Sequence, residues 1–365
     1  MTGVPLVFLE GSYGDMGVAY GRRLAEMVDG NLKDYLRRFR AAGLSEADVR
    51  RHGERYREIA AGYHPAIEAM LNGIAEGAGQ PPEHVFALNA RTELLYGAAA
   101  GDDGADDGCT SLAVLPPRTA DGHALLGQNW DWRPEQGEFT FLLGTRDEDG
   151  FTVLTLAEAG MLAKTGVNSA GIGICANLLV CDRDRGGDGV PYHFLLRGAL
   201  QATTMADALR AVTVPPRSGS GNILLADAGG EAIDLEVVPG DFGHLFPVDG
   251  LVAHANHFMS GVPVQDLRKA SSALSLLRPE RARHLLEERL AARQVAVADL
   301  MVVFRDHYSF PNGICRHVDA RDAELERSCS VYSIIMDLTE RRFLIAGHPP
   351  CEHEYEEFFL DKLAS

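Results

Sequence analysis

The chain is short of positive charge. Lysine and arginine together number 34 against 52 aspartates and glutamates, which leaves a formal net charge of -18 and a pI near 5.1. So acidic a surface repels phosphate backbones and anionic lipid headgroups, so neither nucleic acid nor a membrane is expected as a partner. No uninterrupted apolar run approaches the ~18 residues a bilayer requires. The opening "MTGVPLVFLEGSYGDMG" has neither a basic leader region nor a long apolar one, so a cytoplasmic protein is expected. Cysteine is sparse as well: Cys109, Cys175, Cys181, Cys315, Cys329 and Cys351 are scattered, with no CxxC pair, which argues against a disulfide framework and for reduced thiols. Nothing repeats at a fixed period, and apart from one acidic loop there is no low-complexity linker.

What is present suits a globular protein. With 365 residues, 46% of them hydrophobic, the chain can bury a sizeable core. The first hundred residues show helical periodicity: Leu24, Met27, Val28, Leu32, Tyr35, Leu36 and Phe39 recur at three-to-four spacing, as do Tyr56, Ile59, Tyr63, Ile67, Met70, Leu71 and Ile74. Pro81 and Pro82 suit the first turn of a third helix through "EHVFALNARTELL". From Cys109 onward the period shortens to that of strands, in "SLAVL", "HALLGQNW", "FTFLLG", "FTVLTLA" and "GIGICANLL". Helices are predicted near 191–212, 277–291 and 296–307. Further strands are predicted in "GNILLADAGGEAIDLEVV", in "GLVAHANH" and in the closing hairpin "CSVYSIIMDLTERRFLIAG". Strand runs interspersed with helix runs predict an α+β fold of antiparallel sheets covered by helices.

One stretch raises a chemical question. In "AAAGDDGADDGCTSLAVLP" an acidic, glycine-rich loop at 101–108 delivers a single cysteine to the start of a strand. A thiol becomes a nucleophile when a neighbour takes its proton. If Cys109 were the first residue of a chain, its own α-amino group, with a pKa near ~8, could serve as that base. This requires a cut between Gly108 and Cys109, by attack of the thiol on the Gly108 carbonyl, N-to-S acyl shift and hydrolysis of the thioester. The products would be Met1–Gly108 and Cys109–Ser365. A buried free cysteine with only a packing role is the alternative.

The segment "DGCTSLAVLPPRTADGHALLGQNWDW" resembles the cysteine-opening segment of the acyl-coenzyme A:isopenicillin N acyltransferase family, a group of N-terminal-nucleophile (Ntn) hydrolases. The resemblance extends over most of the chain: "EGSYGDMGVAYGRRLAE" is similar to the family's opening helix, "ALNARTELL" to the helix before the processing loop, and "SIIMDLTERRFLIAGHPPCEHEYEEF" to its C-terminal hairpin and tail. It implies a four-layer αββα sandwich, with a helical fragment 1–108 and a catalytic fragment 109–365 that remain associated in one domain. It also implies self-cleavage at Gly108-Cys109, with Cys109 as nucleophile for amide hydrolysis or acyl transfer on a small-molecule amide or acyl thioester. Asp131, from the "NWD" element, is then the orienting acid, and Trp130 packs behind the site. An oxyanion needs aimed donors. Asparagines near the ends of two candidate strands offer them, Asn256 first, by the family pattern, and Asn177 second. Thr110, beside the nucleophile, and Arg316, in "NGICRHVD", are expected to contact substrate, Arg316 by holding a carboxylate. Here the chain departs from the pattern, with Gly-Ile-Cys-Arg where Ser-Ile-Cys is expected.

Other constellations point elsewhere. His254 and His257 form an HxxH, but in a strand they would face opposite sides. Cys315 and His317 form a CxH with no second pair at zinc-ligand spacing, so no metal and no cofactor are expected. The text "RSGSGN" lacks the Lys-Ser/Thr of a phosphate loop and is predicted to be a turn. Two further functional readings stay open: an uncut, inert relative that binds a ligand, and a thiol redox protein, for which no resolving cysteine lies nearer in sequence than Cys175. The sequence leaves the oligomeric state open, a homo-oligomer included.

Overall fold

The computed structural model describes residues 3–97, 108–184, 186–269, 273–291, 293–324 and 327–363. Most of the predicted acidic loop, 101–107, falls outside them. The chain opens with a strand that helical periodicity did not predict, β1 (Leu6–Glu10), followed by α1 (Tyr13–Arg23), α2 (Ala25–Ala41), α3 (Glu46–Tyr63), α4 (Pro65–Ala78), α5 (Pro82–Asn89) and α6 (Arg91–Tyr96). The single helix predicted after Pro81 is thus two, broken at Ala90. The strands β2 (Cys109–Val114), β3 (Leu125–Trp132), β4 (Thr140–Arg146), β5 (Thr152–Glu158), β6 (Gly166–Asn168) and β7 (Ile172–Asn177) come next. After α7 (Tyr192–Leu200) and α8 (Met205–Thr213) the chain runs through β8 (Gly221–Asp227), β9 (Ala232–Val238), β10 (Asp241–Leu245) and β11 (Leu251–His254). It closes with α9 (Arg278–Leu290), α10 (Val297–Phe304), β12 (Cys329–Asp337), β13 (Arg342–Ala346) and β14 (Glu356–Phe359).

Two sheets stack face to face between two helical layers. One has eight strands in the order β1-β4-β5-β6-β7-β8-β9-β10, the other six in the order β11-β2-β3-β12-β13-β14. All strand pairs are antiparallel except β1 with β4. The period-two pattern explains the layering. In β4, Phe141 and Leu143 join the core under α1–α8, while Leu142 joins the core between the sheets. In β2, Leu112 and Val114 pack under α9 and α10, while Cys109 and Ala113 face the other sheet. The result is the expected αββα sandwich. Residues on both sides of position 108 share the same core, because the helices before residue 97 cover strands that follow residue 109.

Glycine explains why the segment containing α1 reads as it does. A Cβ on Gly17 would sit 2.3 Å from the Met70 carbonyl oxygen, and one on Gly77 would sit 2.2 Å from that of Val18, so α1 and α4 touch backbone to backbone. Among the described residues no helix is long and apolar enough to cross a membrane.

Candidate active site

Cys109 opens β2 directly opposite Trp130 of β3, with its side chain toward the space between the sheets and only 6% of its surface exposed. Gly108, one residue earlier, is pressed against charged groups. A Cβ there would lie 2.9 Å from Asp131 Oδ2 and 3.0 Å from Arg278 Nη1, so this position holds glycine for want of room. The peptide that joins the two residues is held from both ends: its carbonyl oxygen accepts from the Asp131 backbone N–H at 2.8 Å, and its N–H donates to Asn256 Oδ1 at 2.7 Å.

Asp131 is fully buried. Its Oδ1 accepts from Ser330 Oγ at 2.6 Å and its Oδ2 from Arg278 Nη1 at 3.2 Å. The same guanidinium reaches the Cys109 carbonyl at 3.0 Å, Thr110 Oγ1 at 3.3 Å and, through Nη2, Asn256 Oδ1 at 2.9 Å. Arg278, at the start of α9, therefore gathers the groups around the thiol and balances the Asp131 charge. Sequence reasoning passed over it, because "LRPERAR" looks like any exposed helix start.

The structure brings Cys109, Asp131 and Asn256 together, with different roles from some of those expected. Asn256 presents its oxygen to Cys109 and uses its Nδ2 on the Leu178 carbonyl at 3.0 Å. It accepts where an oxyanion donor was expected, because the neighbouring Arg278 and Cys109 N–H both supply hydrogens. Asn177 is likewise committed, donating to Ser111 Oγ at 2.8 Å and Asn222 Oδ1 at 3.0 Å. Thr110 faces Arg278 rather than the pocket, since it is one residue out of phase with Cys109. Arg316 does not line the pocket either. It is buried, and its backbone N–H donates to Ser330 Oγ at 2.9 Å, bracing the partner of Asp131.

The basic groups that do line the pocket are Arg91 and Lys164. The pocket spans about 540 Å³, solvent at its mouth included, and is walled by Cys109, Trp130, Trp132, Leu156, Tyr192 and His193 among others. Lys164 Nζ lies 3.9 Å from the Trp130 ring centroid, and the Arg91 guanidinium 4.4 Å from that of Trp132; the two indoles are stacked 6.3 Å apart. Behind them Glu158 binds both cations, at 2.7 Å from Lys164 and 3.0 Å from Arg91, and accepts from the Tyr35 hydroxyl at 2.7 Å. Burial pushes the Glu158 carboxyl up, but Arg91 and Lys164 outweigh it and hold the group at about 2. Burial lowers the Lys164 ammonium to about 8 even with Glu158 opposing. The Cys109 thiol is pushed up to about 11 by burial and by the Asp131 charge, with Lys164 pulling the other way. A signal for Lys164 did exist: it is the only charged residue between Glu158 and Asp182.

These features meet known proteins at the level of sequence. Residues 118–343, more than half the chain, match the family described as acyl-coenzyme A:6-aminopenicillanic acid acyl-transferase. The chain belongs to that family. It is 29% identical over 289 residues to the acyl-coenzyme A:6-aminopenicillanic-acid-acyltransferase 40 kDa form of Emericella nidulans, covering 78% of this chain and 76% of that one. In fold it is similar to a conjugated bile acid hydrolase variant from Clostridium perfringens, at 12% identity and a TM-score of 0.51 over 70% of this chain and 94% of the other. Penicillin V acylase from Agrobacterium tumefaciens aligns at 13% identity, with a TM-score of 0.48 over 70% of this chain and 87% of that one. Membership of the acyltransferase family makes this chain an enzyme of the acyl-transfer kind, and its fold is that of the Ntn hydrolases. The matched family span begins downstream of Cys109.

The remaining sequence expectations concern metals. His254 and His257 do not face opposite sides: their rings stack 6.2 Å apart, because His257 lies beyond the end of β11. Each is engaged, His254 with Glu236 Oε1 at 2.8 Å and His257 with Ser275 Oγ at 2.8 Å. The Cys315 and His317 pair does acquire companions, His307 and Cys351, which tertiary folding brings from either side in sequence.

Proposed function

We propose that the protein is a self-processing cysteine amidohydrolase or N-acyltransferase, in which Cys109 cuts the chain after Gly108 and then forms an acyl-enzyme with a small-molecule amide or acyl thioester. The observation that carries this reading is the geometry of the Gly108-Cys109 peptide. Its oxygen already accepts from the Asp131 N–H, so charge developing there on thiol attack meets an aimed donor. Its nitrogen is held by Asn256, which keeps the leaving amine in place. Once free, that amine stands beside its own thiol as the general base, with the buried Asp131 and Arg278 fixing its surroundings. The acyl group of the substrate occupies the pocket over Trp130, and water or an amine resolves the thioester. The two fragments stay associated, since they share one core.

Intact mass under denaturing conditions tests the first step. Dividing 39.5 kDa in proportion to length gives fragments of about 12 and 28 kDa, the larger beginning at Cys109. A lasting single mass near 39.5 kDa in active protein would sink the proposal and favour a ligand-binding relative with an unused thiol.

A further inference from the structure

Away from the pocket, four metal-binding side chains converge from three segments. His307 follows α10, Cys315 and His317 lie in the loop that comes next, and Cys351 sits between β13 and β14. Their ligand atoms all lie within 4.8 Å of one another. His317 Nε2 is 3.1 Å from His307 Nε2, 3.4 Å from Cys351 Sγ and 3.7 Å from Cys315 Sγ.

We propose that these residues form a structural Cys2His2 zinc site. With Zn–S near ~2.3 Å and Zn–N near ~2.05 Å, a regular tetrahedron has edges of about 3.3 Å between nitrogens, 3.6 Å between nitrogen and sulfur and 3.8 Å between sulfurs. The three distances around His317 follow these edges. Soft thiolate and imidazole together suit zinc over calcium or magnesium, which take oxygen ligands. Binding forms two Zn–S and two Zn–N bonds and releases one proton from each thiol, so the divalent ion and two thiolates leave no net charge. That neutrality fits a place where Cys315 is buried and His317 and Cys351 are half-buried. All four positions are filled by protein, so the ion has no open site for a substrate and its role is to hold chain segments together.

The segments it would join matter to the thiol site. The loop from Asp306 to His317 is closed by Cys315 N–H to the Asp306 carbonyl at 3.0 Å and His317 N–H to the Pro311 carbonyl at 2.8 Å. Arg316, which lies between Cys315 and His317, donates its backbone N–H to Ser330 Oγ and accepts the Ser330 backbone N–H at its carbonyl, and that same hydroxyl donates to Asp131. The metal would lock the tail at Cys351 onto this loop and so steady Asp131 from outside the pocket.

The test is zinc content of the full chain, purified without a metal-affinity step under reducing conditions and dialysed, in the Cys109→Ala background so that the catalytic thiol contributes nothing. Close to one zinc per chain is expected, with a loss of about tenfold or more in metal affinity for Cys351→Ser and for His307→Asn. The exposed His307 gives a variant that folds even if Cys351→Ser does not. Cobalt added to the metal-free chain should give the visible bands of a tetrahedral ion together with a thiolate charge-transfer band, both absent from the variants. Little zinc in the parent chain, zinc equally retained by both variants, or a mass about 2 Da low from a Cys315–Cys351 disulfide would each overturn the proposal.

Discussion

The backbone N–H of Asp131 donates to the carbonyl oxygen of Gly108 at 2.8 Å, and the same residue's carboxylate lies where a side chain at position 108 would have to go. One residue thereby aims a donor at the peptide proposed to be cut and crowds its glycine side. Gly108→Ala should therefore slow self-cleavage by about tenfold or more, since the peptide must shift against pinned, buried groups. Cys109→Ala should abolish it. A mass-spectrometric time course on newly made chain measures both, and an unchanged rate in the alanine-108 chain would mean that this pinning is not used.

Arg278 is the counter-charge of a fully buried carboxylate. Arg278→Met should cost about 3–5 kcal/mol in urea unfolding, the usual penalty for stranding a buried ion. Adding Asp131→Asn should recover part of that loss, because the stranded charge disappears. Asp131→Asn alone should slow processing without stopping it, as the backbone N–H at 131 survives. Strictly additive effects in the double variant would show that the two side chains are not coupled.

The uncut chain should alkylate slowly at Cys109. Burial and the Asp131 charge hold that thiol at about 11, so iodoacetamide reactivity should climb only as pH nears that value. The proposed cleavage would supply an amine with a pKa near ~8 beside the sulfur, and the cut chain should react at lower pH. Lys164→Met, which removes a nearby cation that favours the thiolate, should move the profile of the uncut chain still higher. Identical profiles before and after cleavage would argue against the amine as base.

Acid should weaken the fold through Glu158. Its carboxyl is held at about 2 in the folded chain against 4.5 as its ordinary value, so the folded state binds its proton less readily than the unfolded one. The stability it confers is fully present above pH 4.5 and is lost as pH falls toward 2. Thermal unfolding across that window should show the decline, and Glu158→Gln should flatten it. A slope unaltered by the substitution would place the acid sensitivity elsewhere.

Much of this was legible in the residues. The period-two runs from Cys109 onward and the three-to-four spacing before it located most elements, because each buries one face. β1 escaped, since five residues beside a helical run carry too short a pattern and its partner β4 lies more than a hundred residues on. Cys109 stood out as a lone thiol at a strand start, and Asp131 through the resemblance of "GQNWDW" to the family's segment after its nucleophile; the pairing of β2 with β3 puts the two side by side. That Asn256 turns its amide oxygen to the Cys109 N–H was not legible, as sequence cannot say which end of an amide faces a neighbour.

The groups that set the chemistry of the pocket were hidden for a related reason. Arg91, Glu158 and Lys164 come from a helix, a strand and the loop after it, and only packing makes them one charged cluster under two indoles. The same holds for His307 and Cys351, each unremarkable alone beside the Cys315-His317 pair.

Sequence by itself determined the layers, the glycine before the thiol and the residue types available to the site, because periodicity, backbone room and side-chain chemistry are local properties. Tertiary structure decided which charges face one another, which amide end meets the Cys109 backbone nitrogen and which four metal-binding side chains meet, because buried electrostatics and coordination depend on distances between segments far apart in the chain.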